Sequence, residues 1–171
     1  HETVYSEEEL KLIVTQSFQG GEINQTELSY LENVFSFEER QLKEIMIPKA
    51  KIVTLEKEMH LDDIIDVLDH YNYTRYPVMD KTHNRVLGFI NTKEMLTSIA
   101  AGKEQRIEMF IHEMPRFKET SPIKDVLQFM QKSRVHMTLV TDIDENLTGL
   151  VTMEDILEKI VGEIREELPA T

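Results

Sequence analysis

The feature that most constrains the fold is an internal repeat with a period of about 61 residues. Gly88 recurs as Gly149, and Leu96 recurs as Leu157, each within a similar local pattern. A duplicated unit of this size forms a small sheet with helices on one face, so the other face of the sheet must be buried against another element. We therefore expect two similar half-modules that cover one another.

Within each copy, short alternating segments predict two strands joined by a turn, with a helix before and after them. The predicted helices and strands cover residues 62–68, 75–80, 86–90 and 91–100 in the first copy and 124–132, 136–141, 147–151 and 152–161 in the second. The pattern predicts an α+β fold of two β-α-β-β-α repeats packed as a pseudo-two-fold pair. Its two clefts would lie at strand ends and helix N-termini, which attract anions.

The region before the repeats is predicted to be helical. Ser6 to Glu9 forms a capping-box pattern that starts a helix spanning Glu7 to Gln19, and Asn24 with Glu27 starts a second. A short third helix is expected around residues 40–46. We expect the segments to be an N-terminal helical segment at 1–46, repeat 1 at 47–109 and repeat 2 at 110–171.

The charge balance is strongly acidic, with 19 Lys and Arg against 32 Asp and Glu and a net charge of −13. The negative electrostatic potential of such a chain repels polyanions, which argues against nucleic acid as a partner. The first 46 residues carry ten acidic and three basic side chains, which form either a solvated face or an acidic docking surface. The absence of cysteine excludes a disulfide framework. Apolar runs are too short to cross a membrane, and the start at His1 suggests a fragment.

Thr152 and Asp155 are the residues with the clearest chemical potential. Asp155 falls in the first turn of a helix that follows a strand, where a carboxylate can accept hydrogen bonds from both ribose hydroxyls. The Thr152 hydroxyl and the free helix N–H groups can face a phosphate. The same spacing is close to a capping box, in which these side chains only satisfy the helix start.

Two stretches carry a resemblance to a known family. The segment Thr74 to Val78 precedes one strand, and the segment Gly149 to Asp155 follows another, as in a tandem pair of CBS domains, the Bateman module. The run from Val34 to Pro48 and the ending Gly149 to Ile164 resemble, more narrowly, the cytosolic portion of the CorC/CNNM transporter proteins, also called hemolysin-like. The resemblance covers roughly residues 7 to 168.

This resemblance implies a regulatory module on the cytoplasmic face of the cell membrane. It would bind ATP or AMP, with Mg²⁺ held through the nucleotide phosphates rather than by the protein, and would belong to a magnesium or cobalt efflux protein with an upstream transmembrane domain. It also implies a homodimer that uses helix faces such as 96–99 and 156–160. The nucleotide-binding residues implied are Thr152, Asp155, Thr74, Arg75, Tyr76, Pro77, Met46, Ile47 and Pro48.

The first repeat departs from this pattern. Asn91 and Glu94 stand where the second repeat has Thr152 and Asp155, and the longer Glu side chain does not suit the same ribose geometry. We therefore expect one nucleotide site, with the state of the first-repeat position left open. Tyr76 and its neighbour Pro77 have strand packing as their alternative role.

Other patterns are weak. Asp62, Asp66 and His70 share one helix face, but an exposed polar stripe explains them better than a metal site. His136 is expected to be a partly buried histidine. No base and nucleophile pair is found, so we predict that the chain is not an enzyme. The alternative to a nucleotide sensor is a scaffold without ligand that binds partner subunits.

Overall fold

The computed structural model describes residues 5–103 and 106–166. Within them the chain forms two compact units. The terminal unit comprises residues 5–46 and 117–166, and the middle unit comprises residues 47–103 and 106–116. Each unit combines helices with a small sheet, which confirms the predicted α+β class. The domain boundaries given above remain a prediction, since compact units and sequence repeats divide a chain by different criteria.

The described residues contain six α-helices and seven short strands. The helices are α1 (Glu7–Gln19), α2 (Gln25–Glu38), α3 (Leu61–Tyr71), α4 (Thr92–Ala100), α5 (Ile123–Ser133) and α6 (Met153–Glu166). The strands are β1 (Ile47–Pro48), β2 (Leu55–Glu56), β3 (Arg75–Asp80), β4 (Arg85–Asn91), β5 (Arg116–Lys118), β6 (Met137–Thr141) and β7 (Leu147–Thr152).

In the terminal unit, β6 lies between β5 and β7 and is antiparallel to β7. All five residues of β6 are buried, as expected for an interior strand. Helices α2 and α5 pack on α6, and α1 packs on α2. The core joins side chains from these elements, including Phe37, Met130 and Ile156, with Leu42 from the segment that follows α2. Helix α2 therefore shares the core of the second repeat, whereas α1 has no buried residue and packs on α2.

In the middle unit, β3 lies between β2, to which it is parallel, and β4, to which it is antiparallel. Alternate residues of β4 are buried, which is the period-two pattern of a strand with one face on a core. That core is built around the fully buried Tyr76, with Ile64, Ile90 and Met95. Each repeat thus has a hydrophobic core of its own.

The helix starts follow the predicted caps. The Asn24 side chain accepts the Glu27 backbone N–H at 2.8 Å, and the Glu27 carboxylate accepts the Asn24 N–H at 3.0 Å. The Ser6 hydroxyl oxygen accepts the Glu9 backbone N–H at 3.2 Å. The Glu9 carboxylate accepts a hydrogen bond from the Ser6 hydroxyl and not from the Ser6 backbone N–H, so the capping box is incomplete. The first N–H groups of each helix lack intrahelical partners, so these side chains fix where α1 and α2 begin.

The third helix expected around residues 40–46 is instead a three-residue 3-10 turn, Leu42–Glu44. The Leu42 N–H bonds to the Ser121 carbonyl at 3.0 Å, and the Lys43 N–H bonds to the Glu119 carbonyl at 2.9 Å. These partners lie about eighty positions away in the sequence. Because tertiary hydrogen bonds satisfy this backbone, no α-helix is needed here.

Gly88 allows a close crossing of two backbones in the middle unit. The Phe89 and His112 backbones exchange hydrogen bonds of 3.0 and 2.8 Å beside it. A Cβ at position 88 would collide with the His112 carbonyl oxygen and the Ile111 side chain, and Gly88 has a φ of +156°. Glycine is therefore required here for both steric and conformational reasons.

We predict that Gly88→Ala lowers the free energy of unfolding by about 3 kcal/mol, since His112 must move away from β4. Chemical denaturation followed by circular dichroism measures this change. Gly20→Ala is the matched control, because Gly20 has a helical φ of −80° and a Cβ there would make only ordinary contacts. Equal stability of the two variants would contradict the crossing described here.

Each repeat's hairpin turn is closed by an aspartate. The Asp80 carboxylate lies 2.8 Å from the His83 Nδ1 and accepts the His83 backbone N–H at 3.3 Å. Asp142 accepts the Asp144 and Asn146 N–H groups, each at 2.9 Å. The pKa of Asp80 is lowered, mainly by the His83 side chain, and the pKa of Asp142 is lowered, mainly by the Asn146 backbone.

We expect Asp142→Asn to lower the melting temperature at pH 7, because the charged form is the one that the turn stabilises. A pKa lowered by folding contributes stability above its unfolded value and loses it as pH falls through the folded value. The difference from wild type should therefore narrow below the ordinary value of 3.8. Melting curves from pH 7 to pH 2 test this, with Asp144→Asn as the control. A difference independent of pH would refute it.

Candidate functional site

The junction between β7 and α6 is the centre of the candidate site. β7 ends at Thr152 and α6 begins at Met153, with no loop between them. The Thr152 hydroxyl oxygen accepts the Asp155 backbone N–H at 3.1 Å. Thr152 therefore caps α6, as the structural alternative predicted for this residue. Its hydroxyl proton is still available to donate to a ligand.

The Asp155 side chain has a different status. It is half-buried in the first turn of α6. Within residues 5–103 and 106–166, no hydrogen bond to its carboxylate is found, so the reciprocal half of a capping box is not formed. A carboxylate at this place is favoured by the partial positive charge of the helix start. It has free acceptor sites that a pair of hydroxyl groups could use.

His136 contacts this junction through its backbone and its side chain. The His136 carbonyl accepts the Met153 N–H at 2.9 Å, and the His136 Nδ1 lies 3.1 Å from the Glu154 carboxylate. The His136 side chain is 45% exposed, so it is more accessible than the sequence suggested. Its pairing with Glu154 was not predicted, since the two residues are far apart in sequence.

Met46 contacts β7 near the start of the strand, at Thr148. It is half-buried and packs against the core of the terminal unit. Its sulfur lies 3.9 Å from the Thr148 hydroxyl oxygen, whose single proton has a closer acceptor in the Val140 carbonyl at 3.3 Å. A soft, partly exposed methionine is suited to contact with an apolar or aromatic ring.

The corresponding junction of the first repeat has the same kind of helix cap, but its acidic side chain has a different partner. The Asn91 side chain accepts the Glu94 N–H at 3.2 Å, as Thr152 accepts that of Asp155. The Glu94 carboxylate, however, lies 2.9 Å from the His112 Nε2. The acidic groups at the two junctions therefore differ in what they already bind.

The predicted segment Thr74 to Pro77 lies in the middle unit at the start of β3. The Thr74 carbonyl accepts the Thr92 N–H at 2.9 Å and the Thr92 hydroxyl at 3.2 Å. Tyr76 is 0% exposed, and its hydroxyl accepts the Tyr73 N–H at 2.9 Å. Pro77 is also buried, while Thr74 is exposed and Arg75 is half-buried. The strand-packing alternative thus describes where the Tyr76 side chain lies.

The nine predicted residues divide between the units. Met46, Thr152 and Asp155 belong to the terminal unit. The other six belong to the middle unit, where Ile47 is half-buried and Pro48 is exposed. That all nine contact one nucleotide remains a prediction.

Neither a metal site nor a membrane span is found in the part of the chain that the structure describes. No group of three or more His, Asp and Glu side chains there is arranged to hold a metal ion. Asp62, Asp66 and His70 are exposed along α3. None of the helices within the described residues has the length and apolar character needed to cross a membrane.

Comparison with known proteins identifies the repeat. The family model of the CBS domain matches residues 42–101 and again residues 108–162. The chain belongs to the CBS domain family. Its two CBS copies account for the repeat and include both strand-to-helix junctions described above.

The curated relatives of this CBS pair are longer proteins. UPF0053 protein YhdP of Bacillus subtilis is 42% identical over 170 residues, which are 98% of this chain and 38% of the relative. The magnesium and cobalt efflux protein CorC of Buchnera aphidicola is 32% identical over 168 residues, which are 98% of this chain and 58% of that protein. The chain thus spans less than two thirds of the length of these relatives.

Solved structures agree with this assignment. The CBS domain of a bacterial CNNM/CorC family Mg²⁺ transporter has a TM-score of 0.75 at 28% identity and covers 98% of this chain and all of the other. A CBS domain of this family in complex with ATP has a TM-score of 0.70 at 27% identity, covering 78% and 95%. A CBS pair from Klebsiella pneumoniae with bound AMP has a TM-score of 0.63 at 26% identity, covering 72% and 99%.

Proposed function

We propose that this CBS pair is the adenine-nucleotide-sensing part of a membrane protein that exports magnesium or cobalt. The observation that carries the proposal is the Asp155 carboxylate, half-buried in the first turn of α6 without a hydrogen bond from the described residues. The efflux role rests on the name of the CorC relative, and the nucleotide on the ATP and AMP complexes of similar CBS domains.

Asp155 recognises the ribose in this proposal. Its carboxylate accepts hydrogen bonds from the two ribose hydroxyls, which is a charge-assisted interaction. The Thr152 hydroxyl proton is directed to a phosphate oxygen, near the partial positive charge at the start of α6. The Met153 and Asp155 N–H groups are already bound to the His136 carbonyl and the Thr152 hydroxyl. Met46 contributes a polarizable surface for the adenine ring.

The remaining contacts follow from the family resemblance. Arg75 supplies positive charge to an anionic ligand, which the net charge of −13 otherwise repels. Mg²⁺ bound to the phosphates would reduce the same repulsion. The contacts proposed from the backbone and apolar surface are those of Thr74, Ile47 and Pro48. Tyr76 and Pro77, which are buried, are proposed to hold this strand end in place.

Helix packing in the terminal unit gives a route for the signal. α6 begins at the proposed site, and α2 packs on α6 while also contacting α1. We place the transmembrane domain of the parent protein upstream of these helices, with the CBS pair on the cytoplasmic face. The nucleotide can shift this part only by as much as its affinity differs between two states.

We predict that the protein binds one ATP per chain and that Asp155→Ala weakens binding at least about tenfold. Loss of one hydrogen bond to a charged group accounts for a factor of this size. Titration calorimetry with ATP, AMP and adenosine, each with and without Mg²⁺, measures it. ATP should be recovered intact after incubation, as expected of a binding module.

Glu94→Ala is the matched control, since Glu94 is the corresponding carboxylate in the first repeat. It should leave the affinity nearly unchanged. Equal binding by the wild type and Asp155→Ala would reject the proposed site. Absence of any nucleotide binding or thermal shift would favour the scaffold function.

A second proposal concerns assembly into a homodimer. Leu96 on α4 and Leu157 on α6 occupy equivalent repeat positions and are 40% and 44% exposed. Beside Leu96 lies a groove of about 260 Å³, bordered by Ile65, Leu68 and Tyr73. We propose that a second copy covers these apolar helix faces, because exposed apolar patches mark interaction sites.

We expect Leu96→Asp to shift the protein from dimer to monomer at micromolar concentration, since a charge would have to be buried in the interface. Light scattering after size-exclusion chromatography measures the mass. Leu12→Asp is the control, because Leu12 is an exposed leucine on α1. An unchanged mass for Leu96→Asp would exclude α4 from the interface.

A further inference from the structure

We propose that His112 closes the first repeat to nucleotide by holding the Glu94 carboxylate, so that the chain binds one nucleotide and not two. This inference rests on the proposed function of Asp155. It assigns the difference between the repeats to a contact inside the middle unit rather than to the length of the Glu94 side chain.

The two junctions are equivalent up to the acidic side chain. Asn91 and Thr152 both end a hairpin strand and both cap the following helix through the N–H three residues later. The acidic residues at that third position, Glu94 and Asp155, follow from the same repeat alignment. The capping interaction therefore does not distinguish the repeats.

The histidine partners do distinguish them. In the second repeat, His136 pairs with Glu154 at 3.1 Å, which leaves the next residue, Asp155, without such a partner. In the first repeat, His112 pairs with Glu94 itself at 2.9 Å. The two histidines occupy different places in their repeats, since His136 lies just before β6 whereas His112 lies after α4. Of the two, His112 pairs with the carboxylate at the third position of the helix, and His136 pairs with the residue before it.

The position of His112 is fixed by its backbone. His112 and Phe89 exchange two backbone hydrogen bonds, and their rings lie 5.4 Å apart. Gly88 leaves the space that the His112 carbonyl occupies. Because the His112 backbone is fixed by its hydrogen bonds to Phe89, its imidazole is held beside the first turn of α4.

The contact competes directly with a ribose. Glu94 would have to give up the imidazole N–H before it could accept the two hydroxyls of a ribose. Because both partners are about half-exposed, giving up this contact lowers the affinity for a ribose by a factor of up to about five. The pair is half-exposed, so it can be removed by substitution without opening a core.

The test uses the Asp155→Ala background, in which the second-repeat site is weakened. We expect Asp155→Ala/His112→Ala to bind ATP more tightly than Asp155→Ala does, measured by titration calorimetry with MgATP. Asp155→Ala/His112→Gln should not do so, because Gln can still donate to Glu94. Asp155→Ala/His136→Ala is the matched control and should bind ATP as weakly as Asp155→Ala. In the wild-type background, His112→Ala should raise the stoichiometry from one to two.

The outcomes separate the two proposals. Failure of the wild type to bind ATP would reject the proposed function and this inference with it. Weaker binding by Asp155→Ala than by the wild type, with no recovery of affinity in Asp155→Ala/His112→Ala, would reject this inference alone. Melting curves of each variant establish that it is folded, and recovery with His112→Gln equal to that with His112→Ala would also overturn the role of His112.

Discussion

The direct turn from a hairpin strand into a helix is the constraint on which this protein depends. In both repeats the last strand residue caps the helix that follows, through Asn91 in one and Thr152 in the other. The cap satisfies one of the N–H groups that a helix start leaves unpaired. It also brings an acidic side chain to the first turn, so the same local geometry can serve either stability or binding.

Duplication of this junction allows the two copies to diverge while each retains its own core. Tyr76 anchors the core of the middle unit, whereas Phe37 brings α2 into the core of the terminal unit. The copies can therefore differ at their junctions without loss of folding. Glu94 is paired with a histidine, and Asp155 is not paired within the described residues.

Charge in the N-terminal helices is arranged by local pairing. Lys11 lies 2.6 Å from Glu39, and Lys124 of α5 lies 2.6 Å from Glu7. Lys124 lowers the pKa of Glu7, while burial raises the pKa of Glu38. Part of the acidic surface at α1 and α2 is therefore paired with lysines. These paired carboxylates belong neither to a purely solvated face nor to a free acidic docking surface.

The sequence by itself determined the elements with local signals. The bounds of α1 and β3 match the prediction because caps and alternation act within a few residues. Strands of two or three residues such as β2 and β5 are too short to show a period. Only the tertiary structure decided that residues 42–44 form a 3-10 turn and that His112 reaches Glu94. These depend on partners distant in the chain, and no local pattern specifies which distant group will satisfy a backbone N–H or a carboxylate.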